Sequence, residues 1–476
     1  MNSNYPRVVD RRRVVGRILA VVNPSVADTK RYNSTNEVTD EVNGNMKLGR
    51  VRLVFVGARK GVSKWPNIRF DPKTRAKELI EIIEAKYSDI EFIKYNIATN
   101  RAEAEKVLEE LGKLNEEVLV IFNLASSWFL PSEIVSKIPT VVVSDPLLWG
   151  YAGMVSLSRA LREHEAKGFI VSSSEWSDID SAFNVIRAYL KLKRSKLLLV
   201  GKEVKEDVTE AKGLGVNVVK IGFEEIEEEF KKSSVDKASE IAEQVMKKAE
   251  GVIGVSPKDI RDSARLYLAL KKILQKYEAD GIAIDCLGGF ARGELSAYPC
   301  LAFMLLDDEG EYVCACENDL NSLITKLVMK YIARRPGFLS EPAIDTSNNL
   351  AIYAHCVAPL KMNGYESAPE PYLIRTHAED DKGVSIQVLF RSNVPVTIVK
   401  FVLSEKRVLL LSGELLGNME KEIGCRSKAI VKVEDAQKLI DTWQHSWHRV
   451  LYYGNWSREI KWLAKLLGYR VHLEIP

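Results

Sequence analysis

The chain has 476 residues, with 68 Lys and Arg against 65 Asp and Glu, so both signs are mixed and the formal net charge is only +3. That balance excludes the broad basic surface with which proteins bind nucleic acid by neutralising phosphates, and about 150 residues per domain sets an expectation of roughly three domains. Six Cys are too few for a disulfide scaffold in a chain of this length. Reduced thiols and a soluble, cytoplasmic protein are therefore expected, with no apolar run near the roughly 18 residues of a spanning helix. Abundant Lys, Glu, Ile and Val with little Gln point to a thermophilic source.

In chain order, residues 1–48 read as an N-terminal arm. The opening RRRVVGRILAVVNP sets basic residues before an apolar run, as a secretory leader does, but Gly16 and Arg17 interrupt it and no small-residue cleavage site follows. From residue 49 to 150, β-branched runs (VRLVFVG, IEFIKYNI, EVLVIFNL, TVVVSD) alternate with helical stretches such as TRAKELIEIIEAKY, the pattern of a parallel sheet with helices on both faces. Residues 151–290 repeat it through KGFIVSS, KLLLVG, VNVVKIG and GIAIDC, a second α/β domain. Residues 291–476 change texture: PCLAFMLL, EYVCAC, AIYAHC, VSIQVLF, VTIVKFVL, RVLLLSGEL and KAIVKV follow one another as strand-like runs, with helices expected only at 320–333, 434–443 and 457–468. The expected fold is two N-terminal α/β, Rossmann-like domains with parallel sheets, followed by a mainly antiparallel α+β domain.

The chemistry-bearing residues are unevenly spread. Five of six His and all six Cys lie beyond residue 285. The glycine loops VGARKGVSK and KGLGVNVVKIG lack the spacings that cradle phosphates, so nucleotide binding is not expected. Cys314 and Cys316 have no second ligand pair and read as small buried hydrophobes in a strand. Three polar clusters remain, each at the end of an apolar run. In the first, Asn318 or Asp319 can cap the following helix, which leaves Glu317 at the strand tip without a structural task. The second carries Glu341 and His355, and the third carries His445 and His448 among aromatics. Taken singly, each has an ordinary reading as a polar loop or a hydrogen-bonded histidine. Together, two carboxylates and an imidazole form an oxygen-rich set suited to Mn²⁺ or Mg²⁺ rather than to zinc.

At these residues the sequence resembles the L-fucose/L-arabinose isomerase superfamily, especially its fucose isomerase-like members, over roughly residues 280–476. The resemblance lies in the Glu-x-Asp of CENDLNS, the carboxylate in PGFLSEPAID, the His-Cys pair of AIYAHC and the tail HRVLYYGNWSREIKWLAKLLG. It implies a metal-dependent aldose–ketose isomerase working through a cis-enediol. Glu317, Glu341 and His448 are then the metal ligands for Mn²⁺ or another divalent cation such as Mg²⁺ or Co²⁺, and Glu317 and Glu341 also form the acid–base pair. His355, Asp319 and Arg59 are implied as substrate contacts, and a homotrimer or homohexamer as the assembly. The sequence departs from the family where Glu341 stands for the usual Asp of fucose isomerases and Asn455 for the Asp of a Gly-Asp turn. Two other readings stand beside the isomerase: a sugar-binding or regulatory protein that turns nothing over, and a metal-dependent epimerase or aldolase using a similar enediolate.

Overall fold

The structure is a computed structural model that describes residues 47–201 and 205–475. All of the expected arm except residues 47 and 48 lies outside them. Three sheets carry most of the chain.

The first sheet is parallel and doubly wound. Its strands are β1 (Arg50–Val56), β2 (Glu91–Ala98), β3 (Val118–Asn123), β4 (Thr140–Ser144) and β5 (Gly168–Ser172), in the order β2-β1-β3-β4-β5, with α1 (Pro72–Lys86), α2 (Arg101–Glu110) and α3 (Tyr151–Glu163) between them. Every residue of β3 and β4 is buried, as expected of strands covered on both faces. The sheet runs past residue 150, because KGFIVSS pairs as β5 with β4.

The second sheet follows helix α4 (Trp176–Leu192) and is also parallel. Its strands are β6 (Lys196–Val200), β7 (Asn217–Ile221), β9 (Gly281–Ile284) and β10 (Val313–Cys316), ordered β10-β9-β6-β7. Helices α5 (Lys205–Gly213), α6 (Phe223–Lys232), α7 (Val235–Lys248), α8 (Pro257–Tyr277), α9 (Cys286–Ala291), α10 (Cys300–Glu309) and α11 (Leu320–Ala333) accompany it, and the short β8 (Gly251–Ile253) joins a small separate sheet described below. Two expectations are corrected here. EYVCAC is not part of the antiparallel domain: as β10 it pairs parallel with β9. PCLAFMLL is helical, as α10: seven of its ten residues are buried, so no polar face betrays its period. Pro299 precedes it and Gly310, at φ +80°, ends it, while Leu, Ala and Met favour helix.

The third sheet is antiparallel and closes on itself. Its strands are β11 (Phe338–Asp345), β12 (Leu350–His355), β15 (Val394–Val402), β16 (Arg407–Asn418), β17 (Ser427–Lys432), β18 (Arg449–Tyr453) and β19 (Arg470–Leu473), interspersed with α12 (Ala436–Asp441) and α13 (Ser457–Leu467). The order β15-β18-β11-β12-β17-β16 returns to β15 through a nine-residue pairing of β15 with β16, giving a barrel-like ring, and β19 adds parallel to β16. Strands β13 (Tyr372–Arg375) and β14 (Ser385–Val388) form the small sheet with β8, tying the second unit to the third. Helix α13 ties the third unit to the first: Trp462 stacks on Phe169 at 4.8 Å, and Arg458 donates to Asp178 at 2.6 Å. Gly454, at φ +99°, turns the chain from β18 into α13, where Asn455 accepts from the Ser457 amide. Among the described residues no helix is long and apolar enough to cross a membrane.

Candidate metal centre

The cluster lies where the carboxyl end of β10, in the parallel second sheet, meets the barrel, and the carboxyl ends of such strands are where parallel α/β sheets present their binding loops. Each side chain of the cluster is set there by local structure. Strand β10 ends at Cys316, and Glu317 and Asn318 then adopt the left-handed region, at φ +56° and +54°. Two consecutive non-glycine residues there cost about 1–3 kcal/mol each, and the turn throws Glu317 clear of both strand and helix. Asp319 caps α11, accepting from the Ser322 amide at 2.9 Å. Opposite, β18, β11 and β12 are neighbours in the ring, and Arg449 pairs with Ser340 while Glu341 pairs with Ala354. That register sets His448, Glu341 and His355 side by side.

The resulting geometry is compact. Nε2 of His448 lies 3.6 Å from Glu317 Oε2 and 3.6 Å from Glu341 Oε1, and His355 Nε2 lies 3.6 Å from Glu317 Oε1. Glu317, His355 and His448 each offer a donor atom within 4.8 Å of the others. Both imidazoles are buried at 3%, whereas the side chains of Glu317 and Glu341 are 27% and 41% exposed, so the carboxylates form the face that a small molecule can reach.

The far nitrogen of His448 shows how the ring is held. Its Nδ1 lies 2.9 Å from Asp319 Oδ2, and the same oxygen accepts from Lys400 Nζ at 2.8 Å and from Ser322 Oγ at 2.7 Å. Burial alone would raise the Asp319 pKa, but the Lys400 ammonium and the His448 contact hold it well below the usual carboxylate range. An ionised Asp319 accepts a hydrogen bond from Nδ1–H, which places the ring's lone pair on Nε2, facing the glutamates. Nε2 is buried and has no hydrogen-bond partner among the described residues. Donor separations of 3.6 Å fall within twice an ordinary metal–donor distance of about 2.1 Å, so this set fits a divalent cation.

The residues expected from the sequence are redistributed by this geometry. Glu317, Glu341, His355 and His448 come together. His355, implied as a substrate contact, stands in the mutually close set, while Glu341 reaches that set through His448. The carboxylate of Asp319 is taken up by Ser322, Lys400 and His448, which makes it the group that orients His448. Arg59 is exposed in the loop after β1, and among the described residues no hydrogen bond or ion pair joins it to the cluster. His445 lies 3.4 Å from Glu405 and apart from the set. Lys400 was not anticipated, although a lysine inside the apolar run VTIVKFVL is a visible signal, since a buried ammonium needs a partner.

No family model matches the chain, and no curated protein matches its sequence.

Two outcomes follow from the charges. Asp319→Asn keeps a competent helix cap but removes the anchor of His448 and the countercharge to the buried Lys400, so Mn²⁺ affinity measured by calorimetry is expected to fall about 10–100-fold, together with a loss of stability. His355 sets the pH dependence. Burial lowers its pKa, but Glu317 and the neighbouring Cys425 and Cys286 thiols raise it and the net shift is upward; Glu317, raised by burial, is brought net downward by the two imidazoles. A raised histidine pKa means that a proton must leave His355 before the ring can bind a cation. Mn²⁺ affinity is therefore expected to rise with pH through the histidine range and above it, changing about tenfold per pH unit below that pKa for the one proton displaced.

Proposed function

We propose that the chain is a divalent-metal-dependent aldose–ketose isomerase, with Glu317, His355 and His448 holding the cation and Glu341 beside them. The observation that carries this reading is the buried Nε2 of His448, without a hydrogen-bond partner and 3.6 Å from a carboxylate oxygen of each of two glutamates, Glu317 and Glu341. A bound Mn²⁺, or Mg²⁺ or Co²⁺, supplies Lewis-acid polarisation of a sugar carbonyl and its neighbouring hydroxyl.

The side chains account for the rest. Isomerisation removes a proton from the carbon beside the carbonyl and returns one to the adjacent carbon. Glu317 and Glu341 divide these two transfers: Glu317 is held ionised by the imidazoles, and Glu341 is the more exposed of the pair. Asp319 and Lys400 fix the His448 ring, which keeps Nε2 available without rearrangement.

The two parallel sheets are read as Rossmann-like domains, in keeping with the α/β texture of the fucose isomerase-like proteins that the sequence resembles. The same resemblance places Arg59 at the sugar and the chain in a homotrimer or homohexamer. Exposed Trp65, Trp128, Leu147 and Trp149 on the first unit support an assembly, because solvent-facing aromatic patches mark contact surfaces. The test is a screen of the Mn²⁺-loaded protein against L-fucose, L-arabinose, D-arabinose and related aldoses, with products identified by NMR. Ketose formation from one of them is expected. Binding without turnover would favour a sugar-binding protein, and an epimer or a cleaved product the epimerase or aldolase reading.

A further inference from the structure

Four of the six cysteines form two pairs beside the cluster. Cys286, which opens α9, and Cys316, which ends β10, hydrogen-bond through their side chains, and both are buried. The second pair differs in access and in anchoring. Cys356 directly follows His355, and its Sγ lies 3.9 Å from Sγ of Cys425, which is partly exposed in the turn between β16 and β17. All six cysteines are free thiols.

The two ends of this pair are held differently. The Cys356 carbonyl accepts from the Ile386 amide and the Ser385 hydroxyl, which fixes it to β14. On the other side, Lys421 to Gly424 are exposed and held through side chains, by Arg375 on Glu422 and Lys428 on the Lys421 carbonyl, while Gly424 sits at φ +81° with open space around the position of a Cβ. A disulfide needs its sulfurs about 2.05 Å apart, so the approach falls on the Cys425 turn. Two residues after Cys425, Ser427 pairs with His355. Any pull on that turn is felt at the histidine from both its chain neighbour and its strand partner.

We propose that Cys356 and Cys425 are a peroxide-reactive dithiol whose closure to a disulfide weakens cation binding at His355. The coupling to the cation rests on the reading of Glu317, His355 and His448 as a metal site. In the first step the thiolate of the accessible Cys425 attacks one oxygen of hydrogen peroxide, giving a sulfenic acid and, after proton transfer, one water. In the second the Cys356 thiol attacks that sulfur, the S–S bond forms and a second water leaves. Two thiols and one peroxide thus yield one disulfide and two waters, and an external dithiol reverses the change.

The test treats the full chain with hydrogen peroxide, alkylates the remaining thiols after denaturation and maps the peptides, with Mn²⁺ titrated calorimetrically before oxidation, after it, and after dithiothreitol. The expected result is a single cross-link joining Cys356 and Cys425, absent in Cys425→Ser, with Mn²⁺ affinity lowered roughly tenfold or more on oxidation and restored by the reductant. Cys425→Ser should bind Mn²⁺ equally well before and after peroxide. A sulfenic or sulfinic acid on Cys425 with no cross-link overturns the proposal, and a cross-link with unchanged Mn²⁺ affinity overturns the coupling. If the reduced protein takes up no Mn²⁺, the metal-site reading fails, while the peptide map still decides the dithiol.

Discussion

Glu341→Gln is expected to lower aldose isomerisation by about 10²–10⁴-fold, the usual contribution of a positioned acid–base group, while weakening Mn²⁺ binding far less. The asymmetry comes from position. Glu341 touches the cluster at His448 and is 41% exposed in its side chain, whereas Glu317 faces both His355 and His448. Glu317→Gln should therefore lose cation affinity and turnover together. Gln preserves the size and shape of the side chain while replacing one acceptor oxygen by an amide donor and removing the charge and basicity, so folding should persist in both variants. Measuring kcat and Mn²⁺ affinity side by side separates the two roles. Near-normal turnover by Glu341→Gln would remove it from the chemistry, and equal loss of affinity in both variants would make it an equal ligand.

The largest stability effect is expected at Arg449, the residue after His448. Its guanidinium and the Glu474 carboxylate are both fully buried and joined at 2.6 Å, and the same guanidinium donates to the carbonyls of Gln444, Ser446 and His448. Its charge also lies 4.0 Å from the centre of the Trp443 ring. Arg449→Ala leaves Glu474 buried without a countercharge, at a cost of about 3–5 kcal/mol, and frees the segment that carries His448. Chemical denaturation followed by a C-terminal-unit signal should show this loss. Arg449→Met combined with Glu474→Leu should recover the part of the loss that comes from the unpaired charge, since a buried pair replaced by apolar groups is often neutral or stabilising, but not the part from the carbonyls of Gln444, Ser446 and His448. A small effect of Arg449→Ala alone would contradict a structural role for the pair.

Much of the α/β half was legible because its strands are buried on both faces and read as continuous apolar runs separated by amphipathic helices. The same rule misled at Cys300–Glu309, where a helix buried on nearly every side has no polar stripe to mark its period. Strand pairing was not legible. Nothing local distinguishes β10, which extends the second sheet, from the barrel strands that follow it, because partner choice depends on contacts far along the chain. The carboxylates and histidines could be found one by one as polar residues ending apolar runs. Their assembly needed the register of β18, β11 and β12, and the roles of Asp319 and Lys400 needed the contacts across the barrel. Cys356 and Cys425 are 69 residues apart and became a pair only through the β12–β17 ladder.

The most direct measurement of the central claim is hydrogen exchange at the sugar. The Mn²⁺-loaded protein is incubated in D₂O with each accepted aldose and followed by NMR. Solvent deuterium is expected at C1 of the ketose and at C2 of the recovered aldose, dependent on Mn²⁺ and suppressed in Glu341→Gln. Tight, Mn²⁺-dependent sugar binding with neither exchange nor ketose would contradict that claim.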